Sequence, residues 1–286
     1  MVEITYEVKG KTAVITLNIP QLYNALSGAE YRRLEQLVLL AAQNPDTIVT
    51  LIQGTGKFFS AGANLGSGSG SKKEDTIELK QIDDPSDPAE YENQKVRTAY
   101  AYSFGTRNLT ITESFYNHPK VLVVALNGPV IGLTSSLVAM ADFIYARDTA
   151  WLLTPFSNIG LAPEGAASFS LAYRLGHSKA SELLLSSTPI DANELYRLGF
   201  VNKLYSSEEY TTESFNETIQ KLIQEKFYHL HPESLIITKE LMRKSTAKNY
   251  AEANALEVVA GTDQFTKGVP QKRFAALAKR ELKHKL

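Results

Sequence analysis

Two short apolar runs, residues 48–52 and Val121–Leu126, each lead straight into a loop rich in glycine. A strand with one wet face alternates apolar and polar residues. A continuous apolar run reads instead as a strand buried on both faces. Such a strand needs cover on each side, so the chain between and around these runs must supply crossing helices. That requirement points to an α/β fold before any single residue is given a role.

The flanking sequence meets it. Residues 2–8 and Thr12–Leu17, separated by Lys9-Gly10-Lys11, read as a hairpin. Ser27 with Glu30 three positions on is a capping-box signature. The helix it opens runs to about residue 42, with Tyr31, Leu34, Leu37, Val38 and Ala41 on one face. Residues 93–116 are helical in pattern, 142–146 and 150–153 read as short strands, and a helix follows the second glycine loop over 137–141. Beyond Gly176 the pattern is helical, with segments 178–185, 191–198, 208–227, Pro232–Lys244, 250–265 and 270–283. Leu235, Ile236, Leu241 and Met242 are read as packing positions. The organisation is an α/β region over 1–200 followed by helices over 201–286.

Composition narrows the function classes. Hydrophobic residues make up 43% of 286, enough for a sizeable core, and the formal net charge is −1. No basic field suggests a nucleic-acid partner, and no apolar run approaches the roughly 20 residues of a membrane span. The sequence has no cysteine, which rules out thiolate catalysis and disulfides. The five histidines form no metal-site spacing with acids. His229 and His231, two apart, read as a helix end or, less naturally, as metal ligands. The N-terminus is acidic and alternating, unlike a signal peptide. The C-terminal His284-Lys285-Leu286 occupies the places of a Ser-Lys-Leu peroxisomal address, with a basic helix end as the bland alternative.

The loops carry the chemistry. Gln53-Gly-Thr-Gly56-Lys-Phe-Phe-Ser60-Ala-Gly62-Ala-Asn-Leu65 lets backbone N–H groups converge on a ligand, because glycine has no Cβ to block the approach. It matches neither a Walker A loop nor the dinucleotide fingerprint. Asn127-Gly128-Pro129-Val-Ile-Gly132-Leu133 is a strand, glycine turn and helix N-terminus, where free N–H groups favour negative charge. The tract 66–92 is Gly/Ser-rich, then acidic and proline-bearing. It reads as a mobile insertion, either a lid over a site or a disordered loop. Asn108 could point a polar group inward.

The third loop, Asn158-Ile-Gly-Leu-Ala-Pro-Glu-Gly165, sets one carboxylate, Glu164, at the mouth of an expected helix among small apolar neighbours, with no basic residue adjacent. Such surroundings disfavour the charged form and suit a general base. The alternative is plain dipole complementation by an acid in a first helical turn.

The three loops in order resemble the crotonase (enoyl-CoA hydratase/isomerase) superfamily, over nearly the whole chain. Phe59-Ser60-Ala61-Gly62-Ala63-Asn64-Leu65 is similar to the family's Phe-Ser-Ala-Gly-Ala-Asp-Leu loop, with Asn64 in place of aspartate. Residues 127–133 are similar to its second glycine loop, and 191–204 to its Ala-Gly-Leu-Val segment. The resemblance implies a spiral of ββα units with a C-terminal helical trimerisation region. It implies an acyl-CoA substrate, no separate cofactor and no metal, and assembly into trimers or hexamers. It implies that the N–H groups of Ala63 and Leu133 hold the thioester oxygen.

In the same resemblance, hydratases use two glutamates. The first position falls on Ser136 and the second on Glu164. Dienoyl-CoA isomerases need carboxylates at the positions of Ser136 and Phe156. A lone Glu164 therefore resembles the Δ3,Δ2-enoyl-CoA isomerases, and Pro129, Leu133 and the Pro-Glu-Gly turn look most like their fungal peroxisomal branch. Import through a receptor for the C-terminal tripeptide into the peroxisomal matrix follows from that. Asn108 would hold a water or Glu164. Tyr23, Ala25, Ala61, Asn64, Leu65, Lys267 and Lys272 are candidate contacts to substrate or coenzyme A, the lysines having solvated surface charge as their alternative. The other readings are a hydratase-like enzyme and a non-catalytic acyl-CoA-binding member.

Overall fold

The computed structural model describes residues 3–64, 88–279 and 281. Leu65, the insertion up to residue 87, and His284, Lys285 and Leu286 lie outside the described residues.

The opening hairpin forms as the alternation demands. Strand β1 (Ile4–Lys9) pairs antiparallel with β2 (Thr12–Leu17), from Ile4 opposite Leu17 to Lys9 opposite Thr12. Helix α1 (Gly28–Gln43) starts at the capping box: Ser27 accepts from Ala29 N–H, and Ser27 N–H donates to Glu30 Oε2 at 2.6 Å. The five expected positions, Tyr31, Leu34, Leu37, Val38 and Ala41, are its buried face. Strand β3 (Val49–Gly54) then lies parallel to β2, and β4 (Val121–Leu126) parallel to β3.

From here the chain repeats one manoeuvre. β4 is followed by the two-residue β5 (Val130–Ile131) in a second sheet, then by α4 (Leu133–Val138). β6 (Phe143–Arg147) returns to the main sheet, and β7 (Trp151–Leu153) goes to the second. Helices α5 (Ala167–Leu175) and α6 (His177–Leu185) follow. After β3 the same step is made by single bridges, Ser60 to Val130 and Leu26 to Ala63. Helices α2 (Pro88–Tyr100) and α3 (Thr106–Tyr116) come next, joined by a π-helical turn over Ala101–Gly105. β8 (Ile190–Asp191), α7 (Ala192–Arg197) and β9 (Lys203–Tyr205) complete the sheets, in the orders β1-β2-β3-β4-β6-β9 and β5-β7-β8. This is the expected α/β spiral of two-strand-and-helix units.

Burial on both faces of the main sheet is visible residue by residue. Ile15, Leu17, Ile52, Leu122 and Val124 belong to one core with α1 and α4. Their neighbours Val14, Leu51, Val121 and Val123 belong to a second core, closed by Phe215, Ile219, Ile223 and Phe227 of α8 (Thr212–Phe227). Helices α9 (Pro232–Lys244), α10 (Ala247–Thr266) and α11 (Val269–Ala278) end the chain.

Four expectations need correction. The helix after the second glycine loop begins at Leu133, not at 137, because Gly132 takes φ +68° and turns the chain directly into it. Glu164 is not an acid in a first helical turn, the alternative given for it: the helix at whose mouth it stands begins at Ala167. Gly165 and Ala166 hold φ +77° and +54°, which no right-handed helix accommodates. The N-terminal helix of the second unit starts at Pro88 rather than 93, with proline in a first-turn place where its missing N–H costs nothing. Lastly, Leu241 and Met242 do not pack within the chain: they are 63% and 69% exposed, and α9 buries no residue. Of the two close histidines, His231 caps α9 by accepting from Ser234 N–H at 3.4 Å.

Candidate active site

The two glycine loops are brought together by side chains and backbone that leave no slack. Asn24 is fully buried. Its Oδ1 accepts from Ile19 N–H at 2.7 Å, and its Nδ2 donates to Thr55 O and Phe58 O at 2.9 and 2.8 Å. Ser60 Oγ donates to Asn24 O at 2.8 Å. The first loop then runs alongside the second: Phe59 N–H and Ser60 N–H donate to Pro129 O, and Ile131 N–H donates to Ser60 O at 3.0 Å. A Cβ added to Gly62 would stand 2.7 Å from Ile131 O, and one on Gly128 only 1.9 Å from Lys57 O. These two positions are therefore closed to any other residue.

Ala63 and Leu133 each follow a glycine of this contact. Leu26 N–H donates to Gly62 O and Asn64 N–H to Leu26 O, which turns the intervening Ala63 N–H away from Leu26. Gly132 N–H is taken by Leu153 O, and Leu133 opens α4, where a first-turn N–H has no intrahelical acceptor. Among the described residues no backbone acceptor meets the N–H of Ala63 or of Leu133.

Glu164 belongs to the same place. A Cβ on Gly165 would lie 2.7 Å from Ser136 Cβ and 2.8 Å from Leu133 Cδ1, so the turn carrying Glu164 rests on α4. Ser136 is fully buried, and its Oγ has no hydrogen-bond partner among the described residues. The Glu164 side chain is 9% exposed as a residue, and its Oε2 accepts from Asn108 Nδ2 at 3.0 Å. Asn108 is in turn held by its neighbour: Arg107 Nε and Nη2 donate to Asn108 Oδ1 at 3.1 and 3.0 Å, which fixes the amide with its NH2 toward Glu164. The Arg107 guanidinium lies over the Tyr31 ring at 5.3 Å.

Burial pushes the Glu164 carboxyl up to about 7; the Arg107 charge and the Asn108 bond pull against it, and Glu257 pushes the same way. The result is a carboxylate poised near neutral pH, which is what a general base requires. No basic residue adjoins Glu164 in the chain, but the fold brings one: Arg107 arrives from α3, remote in sequence, and bonds Asn108, which bonds Glu164.

The remaining candidates sit around this centre with less definition. Ala61 N–H donates to Tyr23 O at 2.9 Å, and the Tyr23 ring packs on Phe58 at 5.0 Å while 53% exposed. Ala25 N–H donates to Leu22 O in the same turn. Lys267 ends α10 and Lys272 lies in α11, both exposed. That corner packs on the Glu164 loop, since Arg273 Nε donates to Asn158 O at 2.8 Å and Gly160 approaches Val269. No group of three or more His, Cys, Asp or Glu among the described residues could hold a metal ion.

Sequence reasoning passed over Arg107, Glu257 and Asn24. A single acid inside Ala253-Asn-Ala-Leu-Glu257-Val-Val-Ala was a usable signal for the second.

A spiral of strand-strand-helix units with two abutting glycine loops and a buried carboxylate on a turn that rests on α4 defines a class, and comparison with known proteins agrees. Residues 86–276 match the family model described as enoyl-CoA hydratase/isomerase. The chain belongs to that family. It is 41% identical to a protein of Pyricularia oryzae named Delta(3,5)-Delta(2,4)-dienoyl-CoA isomerase, over 99% of this chain and 98% of that one. It is 32% identical to the 3,2-trans-enoyl-CoA isomerase of Saccharomyces cerevisiae, over 99% and 97%. Among solved structures, an enoyl-CoA hydratase/isomerase from Pseudoalteromonas atlantica superposes with a TM-score of 0.78 at 21% identity, covering 99% of this chain and all of the other, a likeness of fold.

Proposed function

We propose that the protein isomerises 3-cis- and 3-trans-enoyl-CoA to 2-trans-enoyl-CoA, a step in the β-oxidation of unsaturated fatty acids. The observation that carries this reading is the buried carboxylate of Glu164, on the turn that rests on α4, with no acid at Ser136 or Phe156. Glu164, as carboxylate, takes the C2 proton of the substrate. Negative charge spreads from C2 and C4 to the thioester oxygen, held by the N–H groups of Ala63 and Leu133; losing one such donor typically costs about 10²–10³ in rate. Protonated Glu164 returns the proton at C4, and the double bond is conjugated with the thioester. One base suffices because the proton leaves and arrives within the same substrate. Asn108 holds Glu164 in place. Coenzyme A is part of the substrate, and the chemistry calls for no further cofactor. Ala61, Asn64, Leu65, Tyr23, Ala25, Lys267 and Lys272 are assigned to the acyl-CoA contact.

Around this core reading stand three coarser ones. The 201–286 helices make a homotrimer or hexamer. The C-terminal His284-Lys285-Leu286 engages an import receptor that delivers the protein to the peroxisomal matrix. A second activity, dienoyl-CoA isomerisation, is favoured by the name of the 41%-identical relative.

The test is a paired assay with 3-trans-hexenoyl-CoA and 2-trans-hexenoyl-CoA, with 3,5-octadienoyl-CoA as a third arm. A rise of conjugated enoyl-thioester absorbance with the first, and no loss with the second, supports the isomerase. Loss of the second to 3-hydroxyacyl-CoA would replace it with a hydratase. Turnover of the third alone would move the assignment to the dienoyl substrate.

A further inference from the structure

Helix α5 starts three residues after the proposed base, and its first turn is not capped from its own sequence: Ala166 at its N-terminal boundary offers no side-chain oxygen. The cap comes from α10. Glu257 Oε1 accepts from Ser168 N–H at 2.7 Å and from Ser168 Oγ at 2.6 Å. Glu257 is 6% exposed, and among the described residues it forms no ion pair and its Oε2 meets no donor. The helix N-terminus and these two bonds favour the ionised form of the Glu257 carboxyl against the burial that disfavours it, and no cation among the described residues pairs with it.

Between that clamp and Glu164 lie only Gly165, Ala166 and Ala167. Gly165 and Ala166 hold positive φ, and Ala166 pays strain for it as a non-glycine residue. Such a turn persists only where its surroundings over-determine it. α4 fixes one side through the Gly165 contact with Ser136 and Leu133. Glu257 fixes the other. The charged or titratable groups that face Glu164 are Arg107 on α3, Tyr31 on α1 and Glu257 on α10; α4 presents Leu133 and Ser136, which carry no charge.

We infer that Glu257 is a positioning residue for the reaction: it clamps the left-handed turn that aims Glu164 and, by its uncompensated charge, keeps that base strong. The inference rests on Glu164 being the base. Burial raises the Glu257 carboxyl, and the bonds from Ser168 and from the backbone of Ala166 and Ala167 pull against it. The like charge of Glu257 raises Glu164 further, opposing Arg107.

The experiment is the pH profile of kcat/KM for 3-trans-hexenoyl-CoA in the full-length wild type, Glu257→Gln, Glu257→Asp and Ser168→Ala, with Glu164→Gln as control and a melting curve for each. Glu257→Gln keeps an acceptor for Ser168 but loses the charge. Its lower limb should move down by about half a unit to one unit, the size of a nearby like-charge effect. Its kcat should fall roughly three- to tenfold with KM unchanged, since a weaker, less fixed base slows only proton transfer. Glu257→Asp keeps the charge and shortens the reach, so the limb should stay while kcat falls. A Glu257→Gln profile that superimposes on wild type, or falls by one factor at every pH with the limb in place, overturns the inference. Should Glu257→Gln fail to fold, Ser168→Ala decides: kcat lowered at constant KM supports the clamp, and unchanged kcat overturns it. Retained turnover in Glu164→Gln would instead remove the base assignment, whatever Glu257 does.

Discussion

At the scale of single residues, the site is a contest between burial and neighbours at Glu164. Its carboxyl stands near 7, well above the 4.5 of a free glutamate. With Glu164 as the proposed base the active form is the carboxylate, so kcat/KM should rise with pH through a limb near that value. Asn108→Ala removes a bond that favours the charged form, and the limb should then move upward, measured on the same substrate. Stability runs the other way. A carboxyl whose folded value is raised prefers to fold protonated, so the cost is absent below about pH 4.5 and complete above about 7. Glu164→Gln should therefore abolish turnover yet stabilise the fold at pH 8, by about 1–3 kcal/mol, with little effect at pH 4. Urea melts at the two pH values would show it; equal stabilisation at both would mean the carboxylate is not buried as described.

What was legible at this scale was the residue and not its setting. A carboxylate between proline and glycine among small residues stands out in sequence, and so does a glycine loop. Its partners do not. Arg107 and Glu257 come from helices dozens of residues away on either side, and their distances to Glu164 exist only after folding. The left-handed turn is hidden for a related reason: nothing local announces that Ala166 will be held at φ +54° by contacts from two other helices.

At the scale of elements, the glycine loops matter as a pair. Gly62 combines φ +82° with a Cβ site 2.7 Å from Ile131 O. Gly62→Ala should push the two loops apart. We expect kcat to fall about 10²–10³-fold, as for loss of an oxyanion donor, and stability by about 1–3 kcal/mol for strain and overpacking. A fall in melting temperature with unchanged kcat would separate the loop contact from the chemistry. Strands and amphipathic helices were the most readable elements, since a period of two or 3.6 is a property of neighbours in sequence. Val121–Leu126 and the buried face of α1 lie where the pattern sets them.

At the scale of the whole molecule, α9 is the outlier. Ile237, Leu241 and Met242 are 48%, 63% and 69% exposed, and on α10 Leu256 and Val259 are 64% and 55% exposed. Apolar side chains in this number on adjoining helices are characteristic of a contact surface. Sedimentation of the full-length protein should give a mass three or six times that of the chain, and Leu241→Asp should lower it. A wild-type mass of one chain would refute the assembly. The same exposure explains why Leu241 and Met242 read as packing positions in sequence: periodicity reports that a face wants cover, and not from which chain the cover comes.

The two donors at the centre are peptide groups. Among single substitutions at these positions only proline deletes them, since every other amino acid carries the same N–H. On the proposed reading, a change of side chain at Ala63 or Leu133 leaves the anion-holding groups in place. What cannot be exchanged is the glycine at the loop contact, Gly62 or Gly128, where any Cβ would meet backbone of the facing loop.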